Sequence, residues 1–189
     1  MKKFVCVSVL GASSLALAAC GGDETATADA ASSDPITTEE VEAAQKAWGE
    51  GIVAIGKVYT DEGDYRQAAT DHINNYYAYE ESDTVLFKPT LAAENQFRGT
   101  FEGALSYFVG TEGTEDKGFA LAPYTAVRWE NEGTVIDEDG DKAVAMGNYY
   151  FTGTDGEETK VEYTFGYIKD AEGDLKITVH HSSLPFTPS

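Results

Sequence analysis

The spacing of apolar residues predicts two helices in the first part of the chain. From Val41 onward, apolar residues recur every three or four positions, which places them on one helical face. Thr37 and Glu40 have the spacing of a capping box, so the helix is expected to begin there. Asp64 is the predicted N-cap of a second helix, and His72 neighbours its apolar side. The apolar faces comprise Val41, Ala44, Trp48, Ile52 and Ile55 in the first helix and Ala68, Ala69, Ile73, Tyr76 and Tyr77 in the second.

The second part of the chain changes to the alternating pattern of β-strands. A short strand at 84–87 stops at Pro89, and residues 100–109 predict a short helix. Alternation then predicts strands at 125–130, 134–137, 143–152, 159–169 and 175–182, with Asp-Gly or Glu-Gly turns at 139–140, 155–156 and 172–173. Helices followed by antiparallel strands predict an α+β fold, in which the helices pack on one face of a curved sheet and leave a cavity between them.

The last strand ends in two histidines and two serines, at positions 180–183. Strict alternation places His181 and Ser183 on the same face as the apolar residues of the strand. Polar groups that continue a core-facing stripe must be hydrogen-bonded or line a cavity, because burying them unpaired costs roughly 1–3 kcal/mol each. This predicts a pocket wall formed by His181 and Ser183, whereas a β-bulge before Pro185 would select His180 and Ser182.

The N-terminus resembles a bacterial lipoprotein signal peptide. A basic start is followed by an apolar run and the sequence Leu-Ala-Ala-Cys, so residues 1–19 are the predicted signal and Cys20 the lipidated residue. Residues 20–35 predict a flexible tether, and 36–189 predict a single domain. By resemblance to Gram-negative lipoproteins, Gly21 in place of aspartate favours the periplasmic face of the outer membrane. An ordinary secretory cleavage site is the alternative.

Composition excludes some partners. Asp and Glu number 33 against 13 Lys and Arg, which gives a formal net charge of −20 at pH 7. Such a charge repels nucleic acid and anionic lipid, so we expect no nucleic-acid partner and membrane contact only through the N-terminal lipid. The two cysteines, Cys6 and Cys20, lie in and directly after the predicted signal, so the domain has none with which to form a disulfide.

Six short motifs together resemble the ι-class carbonic anhydrases. The resemblance extends from Trp48 to Pro185 and implies the cone-like fold of nuclear transport factor 2 and of the association domain of calmodulin-dependent kinase II. It also implies the reversible hydration of carbon dioxide to bicarbonate. The motifs are Leu-Phe-Lys-Pro-Thr at 86–90, Phe-Arg at 97–98, Ala-Leu-Ser-Tyr-Phe at 104–108, Asp-Lys-Gly-Phe at 116–119, Met-Gly-Asn-Tyr-Tyr-Phe at 146–151 and His-His-Ser-Ser-Leu-Pro at 180–185.

The resemblance implies that Thr90, Tyr107 and one of Ser182 and Ser183 surround the substrate. Tyrosine is a poor base at neutral pH, since its reference pKa is about 10 and burial raises it. An imidazole has a reference pKa of about 6.5, so His181 is expected to accept the proton or to organise the hydroxyls. The alternatives are that Thr90 only caps a turn and that Tyr107 is an ordinary core aromatic.

The histidines argue against a three-histidine zinc site. The sequence holds only three, at positions 72, 180 and 181, and the adjacent pair points to opposite faces of its strand. We therefore expect a site that needs no metal. The alternative is zinc or manganese bound by one histidine and carboxylates such as Glu94.

Two other functions fit the same fold, namely a small-molecule-binding module and an oligomerisation module. An enzyme for carbon dioxide needs a small cavity with a polar lip, whereas an organic ligand needs a larger apolar one. Assembly into a large ring would favour the scaffold function. We expect a homodimer.

Overall fold

Three α-helices pack on one face of a five-stranded sheet in the part of the protein described by the computed structural model, residues 34–82 and 84–188. The helices are α1 (Thr38–Thr60), α2 (Tyr65–Tyr76) and α3 (Phe101–Val109), and a 3-10 turn spans Phe119–Leu121. The strands are β1 (Leu86–Lys88), β2 (Ala126–Ile136), β3 (Lys142–Thr152), β4 (Glu158–Lys169) and β5 (Leu175–Ser183). The predicted α+β fold is confirmed.

The predicted signal peptide, Cys20 and almost all of the predicted tether lie outside the described residues. The lipid anchor and the tether therefore stay predictions. Within the described ranges, no helix combines the length and the apolar character needed to cross a membrane.

Both predicted N-caps form. The Thr37 hydroxyl accepts a hydrogen bond from the Glu40 N–H at 3.2 Å, and the Glu40 carboxylate accepts one from the Thr37 N–H at 2.8 Å. Asp64 caps α2 by accepting from the backbone of Gln67. The pattern placed Tyr77 on the second helix, but α2 ends one residue earlier and Tyr77 is extended.

The sheet has the order β1-β5-β4-β3-β2. Strands β2 to β5 form the predicted antiparallel meander, whereas β1 pairs with β5 in parallel. The two strands predicted at 125–130 and 134–137 are in fact one, because β2 continues across a register shift between Asn131 and Gly133. A shift of this kind lets a strand absorb an extra residue without ending.

A second register shift lies inside β5. Gly166 pairs with Val179 and Tyr167 pairs with Ile177, so Thr178 is left without a partner on β4. An unpaired residue of this kind is a β-bulge, which changes the face to which every later side chain of the strand points.

The core between helices and sheet is mainly aromatic. Trp48 of α1 lies at its centre and is 1% exposed. Its ring makes edge or tilted contacts, with centroid distances of 5.6–6.5 Å, to His72, Trp129, Tyr149, Phe151, Phe165 and His180. A single side chain thus joins α1 to α2 and to four strands.

His72 is an imidazole buried in this aromatic core. Neither of its ring nitrogens has a hydrogen-bond partner among the described atoms. Its ring lies 4.7 Å from that of Tyr76 and 5.5 Å from that of Phe108. Burial lowers the pKa of His72 to about 3, so the side chain is neutral in the folded protein at neutral pH.

We expect the free energy of unfolding to fall as the pH drops below about 6.5, because His72 then binds a proton in the unfolded chain but stays neutral in the folded protein. The slope is about 1.4 kcal/mol per pH unit for each such histidine. His72→Met removes one of these groups and should make the decline between pH 6 and pH 5 less steep in urea unfolding. Phe186→Leu, an exposed substitution that adds and removes no titratable group, is the control that should leave the slope unchanged. An equal slope in wild type and His72→Met would contradict this account.

Candidate functional site

A small cavity lies between the helices and the inner face of the sheet. Its volume is about 70 Å³. Leu91 and Leu184 line it while being 64% and 56% exposed, and Thr159 is exposed as well, so the cavity opens to solvent beside these residues. The apolar lining consists of Trp48, Phe87, Leu91, Phe108, Phe119, Phe151, Val161 and Leu184, and the polar lining of Thr90, Tyr107, Tyr124, Tyr149, Thr159, His180 and Ser182. No Asp, Glu, Lys or Arg occurs among these described lining residues.

Two hydroxyls from distant parts of the chain meet in this cavity. The parallel pairing of Lys88 with His181 aligns the end of β1 with the end of β5. Thr90 follows β1 by two residues, and its Oγ1 lies 3.0 Å from the Oγ of Ser182. Ser182 is buried, so this hydrogen bond replaces water for both groups.

Tyr107 brings a third hydroxyl from α3. Its oxygen accepts a long hydrogen bond, 3.4 Å, from the backbone N–H of Leu91, next to Thr90. Its ring is stacked on that of Phe119 at 5.5 Å. Burial raises the pKa of Tyr107 further above its usual value of 10, so the hydroxyl keeps its proton at neutral pH and can donate it.

His180 forms part of the cavity wall and is buried. Its ring is stacked on Phe87 at 4.6 Å, its Nδ1 lies 2.8 Å from the Tyr77 hydroxyl, and its Nε2 lies 3.5 Å from the Tyr149 hydroxyl. Burial, with a smaller effect of the neighbouring His181, lowers the pKa of His180 well below its usual value. His180 is therefore a neutral hydrogen-bonding group and a weak base.

The expectation that His181 and Ser183 face the cavity is wrong. The bulge at Thr178 reverses the alternation, so His180 and Ser182 face inward, as the alternative with a bulge required. His181 is exposed on the outer face of the sheet, and the Ser183 hydroxyl donates to the Glu162 carboxylate at 3.0 Å.

A signal for this bulge was present in the sequence. Gly166 lies within the fourth strand, and an isolated glycine in a strand often marks a bulge or a close approach. Here it lies against the bulge, since a Cβ at Gly166 would lie only 3.0 Å from the Cβ of Val179.

The described residues contain no group of three or more His, Cys, Asp and Glu side chains that could bind a metal ion. Glu94 lies in an exposed loop, where its backbone N–H donates to the Glu115 carboxylate. The carboxylate site that the sequence left open thus has no counterpart in the described part of the chain.

Comparison with known proteins assigns the family. A family model described as metal-independent carbonic anhydrase matches residues 39–184. The chain belongs to the metal-independent carbonic anhydrases. The predicted ι-class family is confirmed, and the expectation that no metal is required agrees with the description of this family.

Individual relatives agree with this assignment. A metal-independent carbonic anhydrase from Nostoc sp. strain PCC 7120 is 45% identical over 156 residues, which cover 80% of this chain and 75% of the relative. The crystal structure of a cyanobacterial ι-carbonic anhydrase in complex with bicarbonate is 43% identical, with a TM-score of 0.77, and the match covers 82% of this chain and 95% of that one.

A more distant structure supports the fold alone. The putative calcium/calmodulin-dependent protein kinase II association domain from Xanthomonas campestris is 21% identical, with a TM-score of 0.54, and the match covers 79% of this chain and 89% of that one. The predicted relationship to association domains of this kind is thus confirmed at the level of the fold.

In this carbonic anhydrase, a buried ion pair fixes the helix that carries Tyr107. The Arg98 guanidinium, 2% exposed, donates to the Asp116 carboxylate at 2.6 Å. The second oxygen of Asp116 accepts from the hydroxyl of Ser106, the residue before Tyr107, also at 2.6 Å.

The neighbouring Glu115 fixes the loop that follows Thr90. Its carboxylate accepts hydrogen bonds of 2.8–3.0 Å from the backbone N–H groups of Ala93, Glu94 and Asn95. These bonds lower the pKa of Glu115 to about 2.

Arg98 and Asp116 occur in the motifs that resemble the family, but the sequence did not indicate their pairing, and Glu115 was not singled out at all.

We expect Asp116→Asn to lower the free energy of unfolding by about 3 kcal/mol, because it removes the nearer of the two carboxylates that pair with the buried Arg98 and leaves only Glu115 at 3.6 Å. Urea unfolding measures the loss. Asp61→Asn removes a carboxylate from the exposed pair with Lys57 and should cost less than about 1 kcal/mol. Equal losses in the two variants would show that the buried pair does not fix this region.

Proposed function

We propose that the protein hydrates carbon dioxide reversibly to bicarbonate in the cavity beside Thr90, Tyr107 and Ser182. The observation that carries this proposal is the pair of hydroxyls at 3.0 Å, which face the cavity next to a third hydroxyl, that of Tyr107. Membership of the metal-independent carbonic anhydrases and the likeness to a relative solved with bicarbonate support the same conclusion.

The dimensions of the cavity favour a very small substrate. Pockets for drug-sized ligands occupy about 300–1,000 Å³. This cavity, of about 70 Å³, has room for carbon dioxide and water and too little for such a ligand. Eight of its fifteen lining residues are apolar and the other seven bear no formal charge at neutral pH, which suits a substrate that enters as an apolar gas. These dimensions argue against the small-molecule-binding module.

The hydroxyls can take different parts in the reaction. Thr90 donates to Ser182 and keeps lone pairs free to accept from the attacking water, which holds that water beside the carbon atom. Tyr107 and Ser182 donate to the oxygens of carbon dioxide, which become negative as the new C–O bond forms. Donors fixed in a site that excludes bulk water stabilise this charge more strongly than water would.

The proton lost by the attacking water must leave the site. His180 is a weak base, because burial lowers its pKa, and His181 faces the other side of the sheet. We infer that the proton passes to solvent water where the cavity opens beside Leu91, Thr159 and Leu184, and that His180 acts as a hydrogen-bonding group.

Ser182→Ala and Tyr107→Phe should each lower kcat/KM for carbon dioxide hydration about 100-fold, the usual loss for one donor to a developing oxyanion. Stopped-flow hydration assays measure this. Ser183→Ala is the matched control, because it changes the adjacent serine, whose hydroxyl binds Glu162 on the outer face.

The same assay should be run before and after exhaustive chelation, with metal analysis of each sample. Activity that survives chelation supports the hydroxyl site. Loss that zinc or manganese reverses would overturn it, and so would a larger effect of Ser183→Ala than of Ser182→Ala.

The outer face of the sheet supports a homodimer. One row of residues in register crosses all five strands and consists of Val135, Val144, Gly166, Val179 and Leu86. Val135 and Leu86 are 72% and 64% exposed. An exposed apolar row of this length on an open sheet suits a second copy related by a two-fold axis.

We expect the wild-type domain to be dimeric by size-exclusion chromatography with light scattering. Val144→Glu should shift it toward monomer, because it places a charge in the middle of the apolar row. Tyr59→Glu changes an exposed residue of α1 and should leave the dimer intact. A monomeric wild type, or a Val144→Glu dimer of unchanged affinity, would refute this interface. The lipid at Cys20 and the outer-membrane location stay predictions.

A further inference from the structure

A line of buried hydrogen bonds leads from α1 to the cavity wall. The indole Nε1 of Trp48 lies 3.2 Å from the Tyr77 hydroxyl, and that hydroxyl lies 2.8 Å from Nδ1 of His180. On the other side of the ring, Nε2 lies 3.5 Å from the Tyr149 hydroxyl. All four side chains are 1–3% exposed, so water does not compete for these bonds.

The indole sets the direction of this line, because its N–H can only donate. The Tyr77 hydroxyl therefore accepts from Trp48, and its own proton needs an acceptor. Nδ1 of His180 is the other polar atom bonded to this hydroxyl among the described residues. If His180 instead donated from Nδ1, the buried proton of Tyr77 would be left without an acceptor, at a cost of about 1–3 kcal/mol.

The position of Tyr77 is fixed by the backbone. Tyr77 directly follows α2 in an extended conformation and forms a bridge with Ile177 of β5. The N–H of the next residue, Ala78, donates to the Ile177 carbonyl at 3.0 Å. The Tyr77 hydroxyl is thus held against the strand that carries His180.

A neutral imidazole that accepts at Nδ1 carries its proton on Nε2. In this tautomer Nε2 donates to the Tyr149 hydroxyl, which leaves the proton of Tyr149 free to donate onward. Burial raises the pKa of Tyr149, so this proton stays on the hydroxyl at neutral pH. Tyr149 lines the cavity, and its proton remains available to donate to a group bound there.

We propose that Trp48 and Tyr77 are positioning residues that hold His180 in the Nε2–H tautomer and thereby leave the Tyr149 hydroxyl to donate its proton toward a bicarbonate oxygen. This rests on the proposed function. Hydrogen bonds that all run in one direction polarise one another, so Tyr149 is a stronger donor than an isolated tyrosine.

The imidazole tautomer can be measured directly by NMR of the protein labelled with 15N-histidine. The sequence holds three histidines, so His72→Met and His181→Gln assign the signals. In the wild type we expect protonated Nε2 and unprotonated Nδ1 at His180. Tyr77→Phe removes the donor to Nδ1, so both tautomers should be populated and kcat/KM should fall about tenfold, the effect of one hydrogen bond of about 1.4 kcal/mol.

Tyr167→Phe is the matched control, because it removes a hydroxyl that is buried in the same core but lies outside this line. It should keep the wild-type tautomer and rate. Protonated Nδ1 in the wild type would overturn the inference even if Tyr77→Phe failed to fold. Unchanged tautomer and rate in Tyr77→Phe would also overturn it. A wild type with protonated Nε2 and no hydration activity would instead refute the proposed function and leave the tautomer assignment standing.

Discussion

The unpaired Thr178 in β5 determines which side chains reach the cavity. Because strand residues alternate between faces, one extra residue exchanges the inward and outward sets for the rest of the strand. With the bulge, His180 and Ser182 join the core, and Ser182 meets Thr90 from the parallel strand β1. Without it, the cavity would be lined by His181 and Ser183, and the bond between Ser182 and Thr90 would be lost. The hydroxyl pair thus depends on a backbone irregularity four residues before Ser182.

A second constraint is that the cavity lining carries no formal charge among its described residues. Burial disfavours charged forms, so Tyr107 and Tyr149 keep their protons and His180 stays neutral. Neutral donors are weaker than charged ones, and they must be well oriented to stabilise a developing negative charge. This requirement accounts for the rigidity of the surroundings, where the pair of Arg98 and Asp116 fixes α3 and Glu115 fixes the loop after Thr90.

Features that depend on neighbouring residues were predictable from the sequence, and features that depend on distant pairings were not. The capping box at Thr37 and the turns at 139–140, 155–156 and 172–173 are local signals, and they gave the helix start and the hairpins. The site residues Thr90 and Tyr107 came from family resemblance, and the structure brings both to one cavity. The bulge in β5 depends on partners 10 and 13 residues away, and Arg98 pairs with Asp116 across 18 residues; periodicity detects neither.

The core beside the cavity combines aromatic rings with hydrogen-bonding groups. An all-apolar core would be easier to bury, yet Trp48, Tyr77 and Tyr149 keep hydrogen-bonding atoms beside His180. Each such atom must find a partner of the right polarity, so a set that starts with an obligate donor permits only one arrangement of protons. A metal ion would orient the hydrogen-bonding groups of a site by its charge. Here hydrogen bonds that all run in one direction, fixed by packing around Trp48, can orient the protons of neutral groups.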